Sequence, residues 1–269
     1  MSISIDEVCV KLLNKFIEVC DAHNLNWFVD SGTLLGCVRK GKMIPWDDDV
    51  DIIMPRKDYD LLHKYADEFE SPFFFQTAET DKYFEIHAKL RLDGTTCITK
   101  RDKYGLHHQG MALDIFVLDS VPDNQNEFEA EVGFLRMIGR YSSMHNICEK
   151  EYLKHQTMDE ALIYKAMNEV VADATNRNSN SKYVGNVMFC RYSDYKDVKF
   201  SREAYSSYFV KMFENIPVRV PIGYEEILEG WYGKDWRIEK QAPTFHSALI
   251  DANRDYRQIS LLEIENFFE

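Results

Sequence analysis

The sequence predicts an α+β fold, with a mixed β-sheet flanked by helices in the first half and a mostly helical second half. Short apolar runs typical of buried strands alternate with helical patterns up to residue 122. From Phe128 to about Val171, apolar residues instead recur mostly at helical spacing. We therefore predict a sheet-containing core of residues 1–122 and a helical and mixed region of residues 123–269 that packs on it.

Short local signals mark the first elements. Ser4 and Glu7 form an S-x-x-E capping box ahead of an apolar helical pattern, which predicts a helix from about Ser4 to His23. The run LNWFVD (25–30) is typical of a short buried strand, and SGTLLGCVRK (31–40) of a turn that enters a helix. The next strand is predicted over 50–54, and Pro55 after it suits the first turn of a helix.

Four more strands are predicted in the first half: FFFQ near residue 74, HAKLRL near 89, TTCIT near 97 and MALDIFVLD over 111–119. Asp93-Gly94 is a hairpin signal and predicts that the second and third of these strands pair. In the second half, residues 176–182 resemble a linker. GYEEILEGWYG (223–233) predicts a helix, and SLLEIENFFE (260–269) predicts an amphipathic one.

Composition excludes several classes of protein. The 269 residues carry a net charge of -13 and no run of Lys and Arg, which disfavours a nucleic-acid partner. The six cysteines form no CxxC pair, which indicates reduced thiols rather than disulfides or a zinc site. No apolar run approaches the roughly 20 residues that span a bilayer, and the first residues do not resemble a signal peptide. We expect a cytoplasmic protein.

The most unusual segment is IPWDDDVDIIM (44–54), which places four aspartates within five positions. Side chains two apart on a strand share a face, so Asp49 and Asp51 should lie together, about 6.7 Å apart at Cα. Two carboxylates beside a core are costly unless a cation lies between them, and oxygen ligands suit Mg²⁺. Asp114, within LDIF, would supply a third carboxylate about 5 Å to the side if its strand neighbours 50–54. Asp47 and Asp48 are either part of this site or capping residues of a polar loop.

Other residues are candidates for binding an anionic substrate. Gly32 and Thr33 lie at a strand-to-helix turn, where free backbone N–H groups and the helix dipole favour an anion. Arg39 and Lys42 could neutralise phosphate oxygens, although a solvated face would explain them equally simply.

Later in the chain, Lys89 and Arg91 share one face of their predicted strand and could also reach the ligand. His107 and His108 are candidates for a metal or base role, and ordinary loop histidines are the simpler interpretation. Trp46, Tyr83 and Trp231 are candidates for stacking on a base or facing a cation, with burial in the core as the alternative.

The glycine turn, the D-x-D strand and the distant third carboxylate resemble the nucleotidyltransferase superfamily, whose fold is a small mixed sheet flanked by helices. The string DSGTLLGCVRKGKMIPWDDDVDIIMPRKDY (30–59) resembles the LicD family more specifically. AKLRLDGTT (88–96), GMALDIFVLDSVPDN (110–124) and PIGYEEILEGWYGKDW (221–236) extend that resemblance over most of the chain. Proteins of this type are similar to the ribitol-phosphate transferases of the fukutin group.

The resemblance implies that residues 1–122 form a nucleotidyltransferase-like catalytic core. It implies transfer of a phospho-substituent from a CDP-linked donor, usually CDP-choline, onto a hydroxyl of a cell-surface glycan precursor such as lipopolysaccharide or teichoic acid, with CMP leaving. Asp49 and Asp51 match the aspartates that bind Mg²⁺ or Mn²⁺. Asp114 matches the third carboxylate, which would hold a metal or act as the base. Asp47 and Asp48 are the other candidates for the base.

Three alternatives stay open at this point. The donor could be CDP-ribitol or CDP-glycerol, the reaction could be a true nucleotidyl transfer that releases pyrophosphate, or the protein could be a non-enzymatic metal-binding scaffold in glycan assembly. The acceptor would be a glycan or a lipid-linked glycan, which implies peripheral contact with the inner face of a membrane. The tail 260–269 and the segment 204–213 are the candidate contacts, and both are otherwise expected to be core helices.

Overall fold

The computed structural model describes residues 2–81, 87–145, 160–187, 199–240 and 247–269. The first half contains helices α1 (Ile5–Ala22), α2 (Ser31–Lys40) and α3 (Arg56–Leu62), the last continued by a 3₁₀ turn, His63–Glu68. Its strands are β1 (Phe28–Val29), β2 (Val50–Pro55), β3 (Phe73–Gln76), β4 (Ala88–Leu92), β5 (Thr96–Thr99) and β6 (Ala112–Val121). The predicted α+β class is confirmed.

Five of these strands form the main sheet in the order β1-β2-β6-β4-β3. β2 and β6 run parallel, and the other pairs are antiparallel. The central strand β6 is buried along its whole length, because strands flank its edges and helices from both halves of the chain pack against it. Its far end pairs with β7 (Tyr183–Gly185), which in turn pairs with β8 (Lys199–Ser201). The first half is therefore the mixed sheet that the sequence predicts.

Helix α1 packs one apolar face on this sheet. Both halves of the predicted capping box are present: the Ser4 side chain accepts from the Glu7 N–H, and the Glu7 side chain accepts from the Ser4 N–H. Val8, Leu12 and Phe16 recur at helical spacing and are fully buried. Strand β1 is shorter than the predicted 25–30, because the chain turns at Asp30, the N-cap residue of α2.

The second half contains helices α4 (Gln125–His145), α5 (Glu160–Arg177), α6 (Tyr224–Tyr232) and α7 (Leu261–Phe268). The predicted helices over 223–233 and 260–269 are confirmed. This half also contributes β7, β8, β9 (Tyr208–Phe213), β10 (Ile216–Pro221) and β11 (Ala248–Asp251). One buried core contains residues from both sides of position 122, such as Leu113 and Ile227. The domain boundary at residue 122 stays a prediction.

A buried ion pair attaches α5 to the sheet. The Arg56 guanidinium donates to both carboxylate oxygens of Asp119 at 2.7 and 2.9 Å, and the Asp119 carboxylate is fully buried. From α5, the Thr175 hydroxyl donates to Asp119, and the Asn168 side-chain oxygen accepts from Arg56. Because the charges are paired and further hydrogen-bonded, their burial is tolerated.

The expectation that 204–213 forms a core helix is wrong. A 3₁₀ turn (Arg202–Tyr205) precedes β9, which pairs with β10 as an antiparallel hairpin. Glu214 and Asn215 both take positive φ, at 46° and 64°, which closes a two-residue turn between the strands. Aromatic and β-branched residues in YFVKMF favour a strand, and this preference prevails over the helical spacing.

The hairpin predicted at Asp93-Gly94 is also wrong. Gly94 takes a left-handed φ of 78°, so the local turn does form. However, β4 pairs with β3 on one side and β6 on the other, which leaves no edge for β5. Strand β5 instead pairs with β11, about 150 residues further along the chain.

In the described part of the chain, no helix is long and apolar enough to cross a membrane.

Candidate active site

Three carboxylates converge where β2 and β6 begin. Asp51 and Asp114 are register partners on these parallel strands, and Asp49 lies just before β2. One oxygen from each of Asp49, Asp51 and Asp114 lies within 4.8 Å of the others. The structure therefore brings together the three residues predicted to hold a metal, with Asp51 and Asp114 on neighbouring strands as the prediction required and Asp49 one residue before β2.

The electrostatics of Asp49 and Asp51 favour a bound cation. Burial, and then the negative charges of neighbouring carboxylates, raise the pKa of both groups well above the ordinary value of 3.8. A cation between them would remove this cost. The donor set consists of carboxylate oxygens alone, which fits Mg²⁺ or Mn²⁺ and does not favour a soft metal.

The pKa of Asp114 is shifted in the opposite direction. Its carboxylate accepts from the Lys89 ammonium at 2.6 and 2.7 Å and lies 3.0 Å from His87 Nε2. Burial alone would raise the pKa of Asp114, but the charges and hydrogen bonds of Lys89 and His87 outweigh it and lower that pKa. Lys89 thus reaches the cluster. His87 was missed, because only the register of β4 against β6 shows that it contacts Asp114.

Asp47 and Asp48 form a second acidic group with Asp49, in which one oxygen from each lies within 4.8 Å of the others. Gly32 lies directly against this group, since a Cβ at Gly32 would come 2.5 Å from Asp47 Oδ2. A side chain at position 32 would require the Asp47 carboxylate to move. Asp47 thus lies against the first turn of α2, a position that fits both a capping role and a place in the site.

Two hydrogen bonds to the backbone of Asp51 fix the glycine turn to β2. The Asp51 N–H donates to the Thr33 hydroxyl at 2.9 Å, and the Asp30 N–H donates to the Asp51 carbonyl at 3.0 Å. Thr33 is buried, and its hydroxyl oxygen accepts this bond. In this structure Thr33 positions the strand that carries Asp51, while its predicted contact with substrate stays a prediction.

Asp30 and Tyr232 also belong to the surroundings of the cluster, and the sequence analysis did not single them out. Asp30 is 1% exposed, and one of its carboxylate oxygens has no hydrogen-bond partner among the described residues. Burial raises its pKa to about 6. Tyr232 is 39% exposed, yet its burial against the cluster, and then the charge of Asp51, raise the phenol pKa. For Asp30 a signal was available, since a charged residue ends an apolar strand directly before a helix.

Three basic residues predicted to bind substrate either contact other groups or lie exposed at the surface. Arg39 Nη2 donates to the carbonyls of Trp236 and Ile238. Arg91 is 4% exposed and donates to Gln76 Oε1 and the Gly110 carbonyl, both at 2.7 Å, so it braces the sheet. Lys42 is exposed on the loop before the acidic segment. Their predicted roles in substrate binding stay predictions.

The histidines and aromatic candidates have other surroundings. His108 stacks on Phe74 with ring centroids 5.1 Å apart, and its Nε2 lies 3.2 Å from Asp93 Oδ1. His107 lies 4.0 Å from Asp102, away from the three carboxylates. Trp46 is partly exposed, and Trp231 packs partly buried against Phe200. Tyr83 lies outside the described residues.

Comparison with known proteins identifies the segment that carries the glycine turn and the D-x-D strand. Residues 24–93 match the family model described as LicD/FKTN/FKRP, nucleotidyltransferase domain. This segment is a LicD-family domain. The LicD-family domain contains Gly32, Asp49, Asp51 and Lys89, while Asp114 follows it on β6.

Two curated relatives extend the comparison. The lipopolysaccharide cholinephosphotransferase LicD of Haemophilus influenzae is 28% identical over 252 residues, which cover 88% of this chain and 92% of that protein. The uncharacterized protein RP689 of Rickettsia prowazekii is 32% identical over 114 residues, or 42% of this chain and 40% of that protein. The first alignment shows that similarity continues well beyond the LicD-family domain.

Proposed function

We propose that this protein is a metal-dependent transferase that moves phosphocholine from CDP-choline onto a hydroxyl of a cell-surface glycan precursor, with CMP leaving. The observation that carries this proposal is the convergence of Asp49, Asp51 and Asp114 beside the glycine turn of a LicD-family domain. The Haemophilus relative, a lipopolysaccharide cholinephosphotransferase that aligns over most of both chains, supports the transferred group and the class of acceptor.

Asp49 and Asp51 would hold Mg²⁺ or Mn²⁺, and Asp114 would complete the set. When bound, such an ion supplies positive charge against a diphosphate. The glycine turn at Gly32 gives backbone N–H groups and the N-terminus of α2, a ten-residue helix, for the anionic donor. Gly32 and Asp47 lie so close together that donor and metal sites would adjoin.

Within this proposal, Asp114 is a fixed anion rather than the base. Lys89 and His87 lower its pKa, and a carboxylate with a low pKa is a poor proton acceptor. Asp47 and Asp48 adjoin Asp49, and Asp47 also lies against Gly32, so they remain the candidates for accepting the proton of the acceptor hydroxyl.

A donor screen tests the proposal. CDP-choline, CDP-ribitol, CDP-glycerol and CTP are compared for protection against thermal unfolding, with Mg²⁺, with Mn²⁺ and with a chelator. Turnover is then measured with a glycan-precursor extract as acceptor, and the nucleotide product is identified. We expect metal-dependent protection by CDP-choline and release of CMP.

The other outcomes decide between the alternatives. Preference for CDP-ribitol or CDP-glycerol would replace choline with an alditol-phosphate donor. Pyrophosphate release from CTP would indicate a true nucleotidyltransferase. Failure of every donor to bind or turn over would favour the metal-binding scaffold. Asp49→Asn is the matched control, since its response to metal should be lost in every enzymatic case.

A further inference from the structure

We propose that the loop after β5 and the start of α7 form a surface that docks on an anionic lipid bilayer. This docking surface consists of Lys100, Lys103, Leu106, Leu261 and Leu262. It joins exposed apolar side chains to a cluster of positive charge, a combination that suits the interface of an anionic membrane.

The apolar part of the docking surface is unusually exposed. Leu106 is 92% exposed, the highest value among the large apolar side chains that the structure describes, and Leu262 is 66% exposed. Ile264 is only 7% exposed and anchors α7 to the rest of the protein. Helix α7 therefore buries Ile264 and exposes leucines to water, and exposure of apolar side chains to water is unfavourable.

The two segments lie side by side. The Tyr104 hydroxyl donates to Glu265 Oε1 at 3.2 Å, which connects the loop to α7. Leu261 and Leu262 precede Glu265 by four and three positions, so they lie on the side of the helix that faces this contact. Pairing of β5 with β11 holds the base of the loop against the C-terminal segment.

The loop presents positive charge in a chain whose net charge is -13. Asp102, between its cations, is buried and accepts a hydrogen bond from the Thr99 hydroxyl at 2.6 Å. On α7, the Glu263 carboxylate pairs with Arg254. Because the rest of the protein repels an anionic surface, binding should occur in the one orientation that turns this loop toward the lipid.

Hydrogen bonds connect the base of the loop to the strand that carries Asp114. The Cys97 N–H donates to the Gln109 carbonyl at 2.7 Å, and the Met111 N–H donates to the Thr95 hydroxyl at 2.8 Å, so β5 is fixed to the segment that leads into β6. The loop begins directly after β5. If the proposed function is correct, docking would bring a lipid-linked acceptor to the carboxylates.

The β9–β10 hairpin is the competing surface. Val210 and Met212 are 60% and 52% exposed on one face of β9. Its cations, however, are engaged elsewhere: Lys211 Nζ donates to the Val38 carbonyl, and Arg219 pairs with Asp21. The hairpin therefore offers apolar area without positive charge directed to lipid, and it provides a matched control.

Vesicle co-sedimentation of the full chain tests the docking surface. Vesicles of phosphatidylethanolamine and phosphatidylglycerol are compared with vesicles of phosphatidylcholine alone. We expect binding to the anionic vesicles that weakens with salt. The double variants Leu106→Asp/Leu262→Asp and Lys100→Glu/Lys103→Glu should each lower the partition coefficient at least tenfold, since each lysine near anionic lipid contributes about fivefold. Val210→Asp/Met212→Asp should leave it unchanged.

Thermal unfolding confirms that each variant is folded, and all substituted positions are at the surface. Absence of wild-type binding, or loss of binding only in the hairpin variant, would overturn the proposal. Because no donor is present, the result does not depend on the transferase reaction, and failure of the proposed function would appear separately in the donor screen.

Discussion

Asp30→Asn should make the metal-free protein more stable at neutral pH. Asp30 is the N-cap residue of α2, but its side chain makes no capping hydrogen bond and is 1% exposed. Burial raises its pKa from 3.8 to about 6. Asparagine keeps the shape, is equally favoured at an N-cap and carries no charge to bury. The variant therefore removes a cost that the folded wild type bears when Asp30 ionises.

The size and sign of this effect follow from linkage. The pKa of Asp30 rises from 3.8 to about 6 on folding, and each pKa unit corresponds to about 1.4 kcal/mol. Ionised Asp30 therefore lowers the free energy of unfolding by about 3 kcal/mol at pH 7. The folded state binds the proton more tightly than the unfolded state, so wild-type stability falls as pH rises from about 4 to about 6. The advantage of the variant should thus be largest near neutral pH and shrink below about 1 kcal/mol near pH 4.

Urea unfolding in a chelator, repeated between about pH 4 and pH 7.5, measures this difference. Asp67→Asn is the control, because Asp67 is exposed and its neutralisation should leave the free energy of unfolding nearly unchanged. Equal stability of wild type and Asp30→Asn at pH 7, or an advantage that grows on acidification, would refute the reasoning.

Three further predictions concern the carboxylate cluster. Asp49→Asn and Asp51→Asn should each abolish CMP release while leaving thermal stability in a chelator equal or higher, because a like charge is removed; near-normal turnover in either would exclude the metal assignment. Asp114→Asn should lower turnover by about 10² or more with little change in donor binding, and a change confined to KM would point to ground-state positioning instead. Gly32→Ala should weaken metal-dependent donor protection, since its Cβ would lie 2.5 Å from Asp47 Oδ2; unchanged protection would mean that Asp47 moves aside freely.

The carboxylate triad could be predicted because it depends on local periodicity and one assumption. Asp49 and Asp51 are two positions apart, which brings their side chains to one face if the segment is extended. Asp114 required only that its strand neighbour β2, and the parallel β2–β6 register confirms this. The contacts of His87 and Lys89 with Asp114 depend on how β4 aligns with β6, and no local pattern sets that alignment.

The errors in the predicted fold share one physical cause. Asp93-Gly94 does form a turn, but a turn signal cannot show that both edges of β4 are already occupied. In the same way, helical spacing over 204–213 could not show that β10 would pair with this segment. Strand partners are chosen by competition across the whole chain, which a local pattern of a few residues does not show.

The pairing of β5 with β11 has a consequence for synthesis of the protein. Thr96 pairs with Asp251, so β5 has no partner strand on this edge until almost the whole chain has left the ribosome. At about 5–20 residues per second, that wait lasts roughly 10–30 s, during which the edge of β5 is open to other chains. A nascent chain that already contains all three carboxylates would therefore still have an open strand edge. Premature termination before residue 248 would release a protein with an exposed edge strand, which we expect to be prone to aggregation.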